Sequence, residues 1–323
     1  MNKRILIITT GGTIAMKMNS DIGIVPNDEF IDRLKEFPQM RNLAHIEIYE
    51  FANIPSPHMD PAKMMELAKV VEQKIIEFDG IVITHGTDTL EETAYMLDLI
   101  LVTPKPVVFT AAMRSNSELG LDGPRNIVGA VRVAADDKSC NNGVLVVMND
   151  EIDAARDVVK TDSGKTDSFV TPSYGILGNV DPDKVVFYRN TILKEKIPTV
   201  KIEENVDLIK CTSGMDGRFI KASIKYKAKA IVLEAFGRGN VTLKMIPAIK
   251  EAVEKGIIVV IVSRTYTGRV LAEYGYEGGG KELQSFGVIM GGDLKGLKMR
   301  IKLMVLLGKY NDPKIVREYL KNN

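Results

Sequence analysis

The chain reads as an α/β protein: a doubly wound, mostly parallel sheet in a larger N-terminal domain, then a smaller α/β C-terminal domain. Three observations predict it. Short apolar runs rich in Val and Ile alternate with helical patterns through the first half, as expected of parallel strands joined by crossover helices. The alternation weakens between about Phe187 and Leu208 and then resumes. A length of 323 residues suffices for two cores, and 45% hydrophobic with 26% charged residues is an ordinary globular composition.

The elements follow in order. Arg4 to Ile8 is a strand that runs into the polar turn Thr9-Thr10-Gly11-Gly12-Thr13. Asn27 to Lys35 is a helix capped by Asn27, with Phe30, Ile31 and Leu34 on one face. His45 to Phe51 alternates as a strand. Asp60-Pro61 opens a helix, because aspartate caps and proline suits the first turn; its core face is Met64, Leu67, Ala68, Val71 and Ile75.

Gly80 to Ile83 is a strand, Thr84 to Thr89 a polar loop, and Glu91 to Ile100 a helix. A strand at Pro106 to Thr110, a helix at Pro124 to Ala135 and a strand at Gly143 to Met148 complete the first domain's alternation. In the second region, Ala230 to Leu233 and Ile257 to Val262 are strands. Met245 to Lys255, Lys295 to Leu307 and Asp312 to Leu320 are helices. Lysines, glutamates and Pro198 mark 189–208 as a linker between domains 1–188 and 209–323.

Composition excludes several classes of function. Basic and acidic residues number 43 and 42, so no strong basic excess points to nucleic acid or an anionic membrane. The apolar run after Met1-Asn2-Lys3-Arg4 is too short for a secretory signal, and no segment approaches the length of a membrane span. Cys140 and Cys211 show no metal-ligand spacing and read as two thiols rather than a disulfide. The simplest location is the cytoplasm.

The chemistry points to the two strand-end turns. In an open α/β sheet, ligands bind beyond the carboxyl ends of the strands. Thr13 projects from one such end, and Thr87 with Asp88 from another. Gly11-Gly12 lacks the spacing of a phosphate-binding loop; paired glycines instead permit a tight turn and close ligand approach. The three histidines, His45, His58 and His85, show no triad spacing, and His85 reads as a hydrogen-bonded structural residue. Lys160 is a further base candidate, since a desolvated lysine loses proton affinity and could accept a hydroxyl proton from Thr87; by residue type alone it reads as one solvated surface charge among many.

The pieces Thr10 to Ala15, Thr84 to Thr89 with Glu91 to Ala94, Ala112-Met113-Arg114, Asp122-Gly123-Pro124 and Arg156 to Lys160 stand in order and at consistent spacing. In them the chain resembles the bacterial-type L-asparaginase/glutaminase-asparaginase family over its whole length. The resemblance implies hydrolysis of the side-chain amide of L-asparagine through a threonine nucleophile and an acyl-enzyme, with no cofactor or metal. It implies Thr13 as nucleophile, and Thr87, Asp88 and Lys160 as the second catalytic group. Gly12, Ser56, Thr87, Asp88 and Ala112 would bind substrate, and Asn240 and Glu273 would complete a neighbouring subunit's site in a homotetramer. Backbone N–H groups of the glycine turn would stabilise the oxyanion.

Two departures stand out. Many members carry a tyrosine in the flap after the nucleophile, and Met16 to Pro26 has none; Tyr274 or Tyr276 in a glycine-rich segment is the candidate replacement. Pro57 follows Ser56 where known members place a glutamine. Three alternatives remain: an ammonia-releasing subunit of a tRNA-dependent amidotransferase, a non-catalytic amino-acid binding protein, and an amidase for other ω-amides or a D-amino acid. The first usually has extra sequence before the first strand, which here begins at residue 4.

Overall fold

A computed structural model describes residues 3–19, 23–26, 34 and 38–322. The helix expected at Asn27 to Lys35 lies outside them except for Leu34, which is buried. The chain forms two compact units, Met1–Lys196 and Ile197–Asn323.

In the first unit, β1 (Arg4–Gly11), β2 (Met16–Asn19), β3 (Gly23–Pro26), β4 (His45–Ile54), β5 (Gly80–Thr84), β6 (Val107–Thr110), β7 (Val144–Met148) and β8 (Glu151–Ala154) are followed by four short strands. These are β9 (Val159–Lys160), β10 (Phe169–Val170), β11 (Gly178–Val180) and β12 (Val185–Phe187). Eight of them form one sheet in the order β12-β11-β8-β7-β6-β5-β1-β4. From β4 to β7 all neighbours are parallel. The central residues of β1 (Ile5 to Ile8) and of β5 to β7 are apolar and buried on both faces, as the unbroken Val/Ile runs require.

Helix Gly123–Ala135 covers the face carrying Ile5, Ile7, Val82, Val108, Leu145 and Val147, through Ile127, Ala130 and Val131. Helices Pro61–Lys74 and Leu90–Ile100 pack on each other, and the latter also packs on β7. Asp60 caps the first of these by accepting the Lys63 N–H, and all five residues expected on its core face are buried.

The last three strands of the sheet are antiparallel, which the alternation of strands and helices did not reveal. The turn between β7 and β8 is Asn149–Asp150, both with positive φ (50° and 63°). Two such residues twist a hairpin to match its strands, and Asn and Asp tolerate that backbone. The chain from Tyr188 to Asn205 has no helix or strand, yet Ile197 is fully buried.

In the second unit, β13 (Val206–Lys210), β14 (Ala230–Ala235), β15 (Ile258–Ser263) and β16 (Ile289–Met290) make a parallel sheet. Ile220 and Ile249, from helices Arg218–Lys225 and Ile246–Glu254, pack with Ile231, Leu233, Val259 and Ile261. Helix Gly296–Tyr310 packs on β13, β14 and β15, and Pro313–Asn322 closes the unit.

Candidate active site

The chain leaves β1 toward β4 on one side and returns to β5 on the other. The gap beyond the carboxyl ends of β1 and β5 is therefore the topological switch point, where an open sheet accepts a ligand. Both threonine turns start there. Thr9 pairs with Thr84 as the last register pair, and Thr10 Oγ1 donates to the Thr84 carbonyl at 3.0 Å.

Beyond that tie, Gly11 (φ 101°) and Gly12 (φ 81°) turn the chain, and the Gly12 N–H donates to the Ile54 carbonyl at 3.0 Å. A Cβ on Gly12 would stand 2.3 Å from Gly86 Cα, and one on Gly86 would stand 2.5 Å from Ser56 Cβ. Gly12 and Gly86 thus meet backbone to backbone, and Gly86 is closed on its other side by the Ser56 side chain. Thr13 opens a single 3-10 turn, Thr13–Ala15, and is half-buried. Ile14 and the buried Ala112 both lie against Gly123: its Cβ would be 3.1 Å from Ile14 Cγ1 and 3.4 Å from Ala112 Cβ. The Gly12 amide is thus engaged with Ile54.

The second turn carries the charged groups. Lys160 comes in on the β9–β10 hairpin, 73 residues after Thr87. Its Nζ donates to Thr87 Oγ1 at 2.9 Å and to Asp88 Oδ1 at 2.7 Å. The lysine side chain is 15% exposed and the aspartate 59%. Lys160 is therefore mostly buried beside the buried Thr87, while the Asp88 carboxylate is exposed.

Ser56 links the parts: its Oγ accepts the Asp88 N–H at 3.2 Å and donates to Asp88 Oδ2 at 3.3 Å. Thr89 Oγ1 donates to the Ser56 carbonyl at 2.8 Å. The buried Glu91, in the first turn of its helix, accepts the Lys160 backbone N–H at 3.3 Å. Sequence reasoning missed Glu91 as a holder of the lysine strand. A glutamate in a first helical turn also reads as a partner of the helix dipole, so its type carried no separate signal.

His85 is enclosed in the fold beside Phe109, its ring 5.8 Å away. Its Nδ1 lies 2.8 Å from the Gly86 carbonyl, which can only accept, so Nδ1 carries the proton. Among the described residues Nε2 has no partner. Burial pushes its pKa down from 6.5 to about 4. It is a neutral wedge behind the turn rather than a base.

Asn240 and Glu273 belong to the second unit. The Gly280 N–H donates to Asn240 Oδ1 at 3.3 Å, and Glu273 pairs with Arg238 at 3.5 Å. Tyr274 and Tyr276 are exposed, and their rings lie 5.5 Å apart. Cys140 and Cys211 are both free thiols. Among the described residues no cluster of three or more His, Cys, Asp or Glu is placed to hold a metal, and no helix is long and apolar enough to cross a membrane.

Residues 4–193 match the family model described as Asparaginase, N-terminal, and residues 205–320 match the Glutaminase/Asparaginase C-terminal domain. The L-asparaginase of Bacillus licheniformis is 35% identical, over 97% of this chain and 98% of its own length. A probable periplasmic L-asparaginase of Haemophilus influenzae is 36% identical, over 98% of this chain and 92% of its own. The crystal structure of a probable cytoplasmic L-asparaginase from Campylobacter jejuni superposes with a TM-score of 0.87 at 36% identity, covering 98% of this chain and 99% of that one. Two domain matches that together span nearly the whole chain, on a fold that brings both threonine turns to one switch point, place it in the asparaginase family.

Proposed function

We propose that this protein hydrolyses the side-chain amide of L-asparagine to L-aspartate and ammonia, with Thr13 as nucleophile. The observation that carries the reading is the Lys160 amine, 2.9 Å from Thr87 Oγ1 and 2.7 Å from Asp88, two residues of the loop whose Gly86 touches Gly12 beside Thr13. Thr13 Oγ adds to the amide carbon. Its proton goes to the amide nitrogen, which leaves as ammonia, and an ester to Thr13 remains. Water, giving a proton to the Thr87–Lys160 pair, adds to the ester carbon; the ester C–O bond breaks, that proton returns to Thr13 Oγ, and aspartate leaves. The exposed Asp88 carboxylate holds the substrate ammonium, Ser56 its carboxylate, and Ala112 lines the amide pocket.

Asn240 and Glu273 complete the site of a neighbouring subunit in a homotetramer. The protein works in the cytoplasm, as the Campylobacter jejuni relative is named. An amidotransferase subunit would depend on a partner for ammonia release, and a binding protein would release none.

The test is ammonia release from L-asparagine, L-glutamine and their D-forms, beside a Thr13→Ala control. Release from L-asparagine by the wild type alone supports the reading. An equal rate in the control shows that the nucleophile is elsewhere.

A further inference from the structure

We propose that Asn116 is a positioning residue for the nucleophile: it clamps the turn that carries Thr13. The proposal rests on the reading that Thr13 attacks the amide. The loop from Ala111 to Asp122 joins β6 to the Gly123–Ala135 helix and is braced by its own side chains. The Asp122 carboxylate accepts the N–H groups of Met113 and Arg114, each at 3.0 Å. Glu118 accepts the Ser115 N–H at 2.6 Å, and the Arg114 guanidinium donates to the Gly120 carbonyl at 2.8 Å.

From this frame Asn116 reaches 102 residues back along the chain, where its Nδ2 donates to the Ile14 carbonyl at 3.0 Å. Its backbone N–H donates to the Met16 carbonyl at 3.2 Å. These acceptors follow Thr13 directly. A one-turn 3-10 helix has little internal bonding: the Ala15 N–H reaches Gly12, the Met16 N–H reaches Thr13, and its later carbonyls need outside donors. Asn116 supplies both. An acceptor carbonyl requires the amide NH2 at this position, so an aspartate of the same size cannot replace it while ionised. Met16 also begins the β2–β3 hairpin, so the clamp fixes the base of the flap. A turn free to rotate would swing Thr13 Oγ away from the amide carbon, and displacements of about 1 Å cost about a hundredfold in rate.

The experiment compares wild type, Asn116→Ala and Asn116→Asp by kcat and KM for L-asparagine, with thermal unfolding in parallel. Both variants are expected to lose about tenfold or more in kcat, with KM within about twofold. The aspartate variant holds its own rescue. As pH falls its carboxyl takes a proton and donates again, so its ratio to wild type climbs while the alanine ratio stays flat. Arg114, Glu118 and Asp122 on the loop and Lys17 on β2 are common to all three proteins and cancel in the ratios. Amide exchange at Ala15 and Met16 reads the clamp without activity and is expected to speed up in both variants. A wild-type kcat in Asn116→Asp at neutral pH, or unchanged exchange in both variants, overturns the proposal. Absence of ammonia release by the wild type, with faster exchange in the variants, would sink the Thr13 reading and leave the clamp standing.

Discussion

The two threonine turns sit side by side and are built in opposite ways. The turn before Thr13 is held by backbone: two glycines at positive φ, an N–H on the Ile54 carbonyl, and contacts so close that Gly11 and Gly12 have no room for a Cβ. The turn around Thr87 is held by side chains: Ser56 on Asp88, Lys160 on Thr87 and Asp88, and Glu91 on the strand that delivers the lysine. In the proposed mechanism the first gives the nucleophile a fixed place, and the second supplies charge and a route for protons. Substitutions in the second should therefore stop chemistry in a protein that still folds, whereas side chains added to the first should strain the fold itself.

The largest effect is expected at Lys160. Lys160→Met keeps the stem and removes the amine. Ammonia release should fall by about 10²–10⁴ in kcat, the usual share of a positioned proton acceptor. Lys160→Arg should not restore it, because a guanidinium does not give up its proton. Thermal unfolding should move little, since the hairpin is anchored separately by Thr161 on Ser168 and by Glu91. A kcat within tenfold of wild type in the methionine variant would remove the lysine from the mechanism.

Next in size are the glycines. Gly12→Ala must place a Cβ against the Gly86 backbone at positive φ. At φ 81° and ψ 177° the backbone lies in a region open essentially to glycine alone, which costs about 1–3 kcal/mol, and the crowding adds about 1–3 kcal/mol. Gly86→Ala meets the Ser56 side chain instead, and no positive φ is involved. Urea unfolding at neutral pH should rank Gly12→Ala as clearly less stable than Gly86→Ala. An equal loss would mean that the contrast between a backbone-held and a side-chain-held turn is not real.

How much of this was legible in the sequence follows the same division. The parallel strands were plain because a strand buried on both faces must be apolar throughout, as Ile5 to Ile8 and Val144 to Met148 are. The β8, β11 and β12 edge was not, because its strands span only three or four residues each and show little alternation. Asn149–Asp150 was the available signal for the reversal. Gly11-Gly12 announced a close approach, but not that Gly86 would be its partner.

Nothing in periodicity or composition could bring Lys160 to Thr87, since β8 and an irregular turn lie between β7 and Lys160; only the family resemblance linked them. Glu91 and Asn116 were invisible for a plainer reason. The bonds that matter here end on backbone atoms, the Lys160 N–H and the Ile14 carbonyl, and backbone atoms leave no trace in a sequence.

The smallest effect on rate, and the sharpest test of what lies behind the second turn, concerns His85. Its folded pKa is about 4 against an ordinary 6.5, because burial disfavours the charged ring. Between those values the unfolded chain binds more protons than the folded one, so stability is lost as pH falls through that window. The loss approaches about 3 kcal/mol by pH 4 and is absent above neutrality. His85→Asn retains a donor for the Gly86 carbonyl without a group that protonates. Urea unfolding at pH 7, 5.5 and 4.5 should therefore show wild type and variant close together at the first pH and diverging below it, with the variant holding on. Ammonia release at pH 7 should change little, because the ring supports the turn without entering the chemistry. Parallel stability curves would mean that His85 is hydrated or paired when folded, and that the second turn rests on something other than a neutral wedge.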